Sequence, residues 1–203
     1  LSRLSLHIGD EVTPDLTGFG PMPKLTHLKI NGRSWGSSAA LTSLNGLQAP
    51  ALTEVDLSCS RVQDISALRF SPKITELNLS ENPGLTDISG LESCTPTLTT
   101  LNMSDCKLVD SLEVLKTAKK LKSLNLTDCK ALTSVLPLAS CQSLETLDLD
   151  RCSNLRSLEG LAKFLLALRG GAYAHQDGGA VGMCHVFREA GGKSSAMRRR
   201  SVF

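Results

Sequence analysis

Three cysteines stand at one constant interval. Cys106, Cys129 and Cys152 close the segments LNMSDC, LNLTDC and LDLDRC, 23 residues apart. Thiols so spaced could ligate a metal, form a disulfide framework, or fill one structural position that the chain repeats. Metal ligation needs convergence, usually through close pairs such as C-x2-C, and no such pair occurs. The chain has seven cysteines in 203 residues, an odd number spread along its length. That argues against a closed disulfide set and for reduced thiols in a cytoplasmic or nuclear setting.

Carboxylates recur at similar spacing, as in Glu54/Glu76 and Asp105/Asp128. Paired acids can do acid–base work when held in a water-excluded pocket. What positions these residues is a repeat. Rows aligned on LxxLxLxx begin at Leu1, Leu25, Leu52, Ile74, Leu98, Leu121 and Leu144, with intervals of 24, 27, 22, 24, 23 and 23 residues. Seven near-regular copies predict a solenoid of stacked coils. Apolar unit positions 4 and 6 give the period-two alternation of a short strand with one buried face. The second half of each unit, as in LTDISGL (Leu85–Leu91), carries apolar residues at i, i+3 and i+6, which suits a 3₁₀ or very short helical turn. Asp64 and Asp87 stand where they could cap such turns.

The pattern LxxLxLxx with Asn or Cys at the ninth position resembles the leucine-rich repeat family over residues 1–164. The units are similar to short cysteine-containing repeats, including those of trypanosomatid leucine-rich repeat proteins. They also resemble repeats of plant immune receptors and of F-box ubiquitin-ligase adaptors, although the last have longer units. The resemblance implies an α/β solenoid, a horseshoe with a parallel β-sheet on its concave side and short turns outside. It implies that the ninth position points inward and bonds the neighbouring coils. Asn82, Cys106, Cys129 and Cys152 then form a structural ladder, preceded by Gly9, Arg33 and Ser60. The thiols are in this reading neither redox centres nor metal ligands.

In such a fold, positions 3, 5, 7 and 8 face outward on the concave side. Rows one and two place Arg3, His7, His27 and Lys29 there. The later rows place Glu54, Asp56, Glu76, Asn78, Glu81, Asn102, Asp105, Asn125, Asp128, Asp148 and Asp150, opposed only by Arg151. These eleven residues are the candidate partner-binding face, suited to a protein with a basic surface. The carboxylates lie on an open surface, the histidines lack an organised nucleophile, and no phosphate-binding glycine loop occurs. The expectation is therefore a scaffold or adaptor rather than an enzyme, with no cofactor, metal, nucleic acid or membrane partner. A recognition segment of a ubiquitin-ligase adaptor or immune receptor is the alternative.

Two regions depart from the repeat. An insertion at 31–40 holds Trp35, expected to fold back over its own coil. Residues 165–203 hold seven of the sixteen glycines and carry six basic against two acidic residues. They are expected to be a disordered tail, or the product of a shifted reading frame or unspliced intron. The tail contains RRRS (Arg198–Ser201), similar to a basophilic kinase site, and ends in SVF, similar to a PDZ ligand. The chain lacks an initiator Met and reads as a fragment, and the strand edges of rows one and seven are expected to stand open.

Overall fold

The structure is a computed structural model that describes residues 1–7, 16–32, 41–161 and the backbone of 185–187. Gly9, Arg33, Trp35, RRRS and SVF lie outside the described residues. Each row yields one strand: β1 (Arg3–His7), β2 (His27–Asn31), β3 (Glu54–Asp56), β4 (Glu76–Asn78), β5 (Thr100–Asn102), β6 (Ser123–Asn125) and β7 (Thr146–Asp148). They pair in sequence order, parallel and in register, so that each unit position forms a column across the sheet.

The columns explain the core. Position 4 holds Leu28, Val55, Leu77, Leu101, Leu124 and Leu147, and position 6 holds Ile30, Leu57, Leu79, Met103, Leu126 and Leu149, all buried. Position 1 adds a third buried column from Leu25 to Leu144. Burying each such side chain stabilises the coil by roughly 1.5–3 kcal/mol. The long axis is thus built from nearly identical aliphatic layers, which is why the chain manages with so few rings.

Behind the sheet the chain returns through 3₁₀ turns at Thr17–Phe19, Ser66–Phe70, Ser89–Leu91, Glu113–Thr117 and Leu136–Ser140. Their i, i+3, i+6 residues, such as Leu85, Ile88 and Leu91, seal the convex side of the core. Asp64 and Asp87 each accept a bond from the backbone N–H two residues on, at 2.8 Å, and Ser111, Ser134 and Ser157 do the same from their hydroxyls. The bond from the Ser66 backbone is the main reason the Asp64 carboxyl is held below its ordinary range. No helix among the described residues is long and apolar enough to cross a membrane.

The open edge expected at row seven is not found. A strand β8 (His185–Phe187) from the glycine-rich tail pairs antiparallel with β7.

Candidate interaction face

The parallel register places position 3 as one row of side chains, Arg3, His27, Glu54, Glu76, Thr100, Ser123 and Thr146, across β1–β7. Position 5 forms the next row: Ser5, Lys29, Asp56, Asn78, Asn102, Asn125 and Asp148. A shallow groove runs over β1–β5, and five of the candidate residues line it: Glu54, Asp56, Glu76, Asn78 and Asn102. Asn125 and Asp148 continue the position 5 row beyond the groove on β6 and β7. Glu81, Asp105, Asp128 and Asp150 stand apart, just past the ends of their strands.

The position 5 residues have a second job. The Oδ1 atoms of Asp56, Asn78, Asn102, Asn125 and Asp148 each accept the backbone N–H two residues on, at 2.9–3.1 Å. These Asx turns hold the chain as it leaves the strand. The turn continues through position 8, where Cys59, Glu81, Asp105, Asp128 and Arg151 take left-handed backbone with φ between +56° and +62°. The Asn/Asp preference at position 5 is therefore explained by backbone satisfaction before any partner is considered.

Charge is compensated within the face more than the sequence suggests. Lys29 Nζ lies 2.8 Å from Asp56 Oδ2, and Asn78 Nδ2 and Ser58 Oγ both donate to Asp56 Oδ1. Burial works to raise the Asp56 carboxyl, but the bonds from Lys29 and Ser58 outweigh it and hold it below the usual carboxylate range. Arg151 is not the sole opposing cation. Lys107 pairs with Asp105 and Lys130 with Asp128, each at 3.4 Å, while Arg151 reaches Asp128 at 3.8 Å and Asp150 at 3.6 Å. The left-handed residue at position 8 turns the chain so that a lysine two places on comes back to the aspartate. Asp128 and Asp150 are also recessed, with side chains only 13% and 17% exposed.

Glu76 differs from these. It sits in register between Glu54 and Thr100 and has no ion-pair or hydrogen-bond partner among the described residues. Glu54 instead lies against His27, whose Nε2 is 3.0 Å from its Oε1. Glu81 bonds the Cys59 thiol, which burial first and Glu81 second push up to about 11.

Under the sheet, the ninth-position side chains point inward and are fully buried at Ser60, Asn82, Cys106, Cys129 and Cys152. Asn82 Nδ2 reaches the Leu57 and Leu79 carbonyls at 2.9 and 2.7 Å, and its Oδ1 accepts the Val62 N–H at 2.8 Å. Each thiol donates to a carbonyl one coil earlier: Cys106 to Leu79, Cys129 to Met103, Cys152 to Leu126, at 3.1–3.2 Å. Burial drives their ionisation up, to about 12 for Cys106, about 11 for Cys152 and further still for Cys129. Such thiols are poor nucleophiles and poor ligands. Among the described residues six cysteines are free, and no group of three or more His, Cys, Asp or Glu is placed to hold a metal.

Two further columns were not singled out in the sequence. Thr26, Thr53, Thr75 and Thr99, at position 2, each donate a hydroxyl hydrogen to the backbone carbonyl of the preceding row, at 2.9–3.1 Å. Before β4 and β7, Ser71 and Cys141 bond the carbonyls of Ala49 and Leu115 one coil back. The four consecutive Thr at one unit position were the available signal for the first column.

Residues 72–117 match the family model for leucine-rich repeats in two copies. Internalin C2 from Listeria monocytogenes is a similar solved structure, with 18% identity and a TM-score of 0.54 over 79% of this chain and 76% of that one. Internalin InlF from the same organism aligns at 16% identity and a TM-score of 0.38, over 78% of this chain and 66% of its own. No curated protein matches. The fold is the leucine-rich repeat solenoid, and residues 72–117 hold two leucine-rich repeats.

Proposed function

We propose that the chain is a protein-interaction scaffold that docks a partner on its concave face through basic side chains of that partner. The observation that carries this reading is Glu76, an uncompensated carboxylate in the groove over β1–β5, one strand from Glu54. A partner lysine or arginine placed there gains a charge-assisted bond to Glu76 and relieves repulsion between two acids about 4.8 Å apart at the backbone. Solenoid curvature creates extended concave surfaces of this kind. Glu54, Glu76 and the exposed edge of Asn78 form the centre of the contact. Asn102, Asn125, Asp148 and the acids past the strand ends, Glu81, Asp105, Asp128 and Asp150, extend it. The partner is a protein, since the uncompensated charge in the groove, the Glu76 carboxylate, repels nucleic acid phosphates. Binding rather than catalysis fits carboxylates on an open sheet and thiols whose ionisation is suppressed. The experiment is capture of partners on immobilised full-length chain, compared with Glu76→Lys, with quantitative mass spectrometry of what is retained.

The compartment we propose is cytoplasmic or nuclear, as suits the six free cysteines among the described residues. Asn78-Leu79-Ser80, Asn102-Met103-Ser104 and Asn125-Leu126-Thr127 are N-glycosylation acceptor sequences on adjacent strands of the proposed face. Glycans there would cover it. The intact mass of the endogenous protein tests this: glycan at any of the three sites contradicts both the compartment and the use of the face.

A further inference from the structure

Arg3, His27 and Glu54 occupy the same unit position on β1, β2 and β3 and lie in register. Two contacts converge on one imidazole atom. Arg3 Nη2 is 3.2 Å from His27 Nε2, and Glu54 Oε1 is 3.0 Å from the same nitrogen. A ring nitrogen has a single in-plane site, filled by a lone pair or by a proton. Nε2 can accept from Arg3 or donate to Glu54, and it cannot do both.

The other ring nitrogen is fixed. His27 Nδ1 lies 2.7 Å from Thr26 Oγ1. With the Thr26 hydroxyl hydrogen on the Ser2 carbonyl oxygen at 2.9 Å, the bond that Thr53, Thr75 and Thr99 make in the same column, Oγ1 accepts from Nδ1–H. The neutral ring is thereby held as the Nδ1–H tautomer, with the Nε2 lone pair facing Arg3 and Glu54.

We propose that His27 is a proton-operated partner switch that exchanges Arg3 for Glu54. When the ring is neutral, Nε2 accepts from the Arg3 guanidinium, and the Glu54 carboxylate is left uncovered beside Glu76. When one proton arrives at Nε2, the new N–H donates to Glu54, and the imidazolium repels Arg3. The other charged and titratable groups around the ring are accounted for. Lys29, on the same strand, is held by Asp56 of β3 at 2.8 Å, and His7 lies at the far end of β1, in register with Asn31. Neither competes for Nε2. The switch exists whether or not the concave face binds a partner. If it does, acidification covers Glu54, one of the adjacent acids Glu54 and Glu76, and exposes a guanidinium, so a basic partner is released.

The test is ¹⁵N NMR of the imidazole nitrogens in the full-length chain, with the His27 signals assigned by their loss in His27→Gln. Expected at a pH where the ring is neutral is a protonated Nδ1 and an unprotonated Nε2. On acidification Nε2 alone should gain its proton, while the Arg3 guanidinium signals move through the same transition. Thr26→Val removes the acceptor and should shift the neutral ring toward the Nε2–H tautomer. An Nε2–H tautomer in the unaltered chain overturns the proposal, as do Arg3 signals that stay constant while His27 titrates. Those two readouts decide the matter even if Thr26→Val does not fold.

Discussion

The Cys129 thiol donates to the Met103 carbonyl oxygen one coil earlier, at 3.2 Å, from a fully buried site. Asn82 makes the equivalent bond to Leu57, also one coil earlier. The position therefore asks for a small inward donor and excludes charge. Cys129→Asn should cost less than about 1.5 kcal/mol, the net worth of one hydrogen bond, in urea unfolding. Cys129→Asp should cost more than about 3 kcal/mol at neutral pH, because an unpaired carboxylate is buried. Burial raises the folded-state ionisation of that aspartate above its unfolded value. The loss should therefore be smallest at acid pH and grow as the pH rises.

The lowered Asp56 carboxyl gives the unaltered chain a pH dependence of the opposite sense. Its contribution is complete above the ordinary aspartate value of 3.8 and disappears as the pH falls through the lower folded-state value. Asp56→Asn keeps the acceptor for Ser58 and removes the titration. Urea unfolding across pH 2–5 should show a shallower acid decline in Asp56→Asn than in the unaltered chain; identical slopes would mean that Lys29 and Asp56 do not interact in solution.

The position 5 column predicts an asymmetry between two substitutions at one site. Asn102→Ala removes the acceptor for the Ser104 N–H and should cost about 1 kcal/mol. Asn102→Asp keeps it, as Asp148 does two coils on, and should fall within about 0.5 kcal/mol of the unaltered chain. Chemical denaturation of the pair separates the Asx role from any partner role, because no partner is present.

Thiol accessibility follows from burial. Cys94, Cys106, Cys129, Cys141 and Cys152 are buried, whereas Cys59 is half-buried. Alkylation of the native chain with peptide mapping should label Cys59 slowly, since its ionisation is pushed up to about 11, and leave these five buried thiols unmodified until denaturant is added. Native-state labelling of Cys129 would mean the ladder opens far more readily than its packing implies.

Much of this architecture was legible because one residue decides one column. The apolar residues at positions 1, 4 and 6 recur with the coil, so Leu101, Leu124 and Leu147 announce their strands without help from context. The ionic arrangement was not legible for a geometric reason. Lys107 and Lys130 lie outside the strand in sequence, and only the left-handed turn at Asp105 and Asp128 brings them back to those carboxylates. Asn102 and Asn125 read equally well as binding residues or turn formers, because both roles need the same short amide. The pairing of His185–Phe187 with β7 had no periodic signal at all, since its strand is a single isolated segment within a glycine-rich stretch.

Glu76 provides the most direct test of the binding face. Its side chain lies in the groove, has no internal partner among the described residues, and faces Glu54 one strand away. Glu76→Lys should leave stability unchanged or slightly higher, within the roughly 1 kcal/mol range of exposed pairs, because it replaces a like-charge neighbour with an opposite one. The measurement is quantitative capture by the full-length chain and by Glu76→Lys at matched far-UV circular dichroism. The face predicts loss of the captured partner on Glu76→Lys, and graded loss with added salt for the unaltered chain. The same partner retained in the same amount by both chains would contradict it.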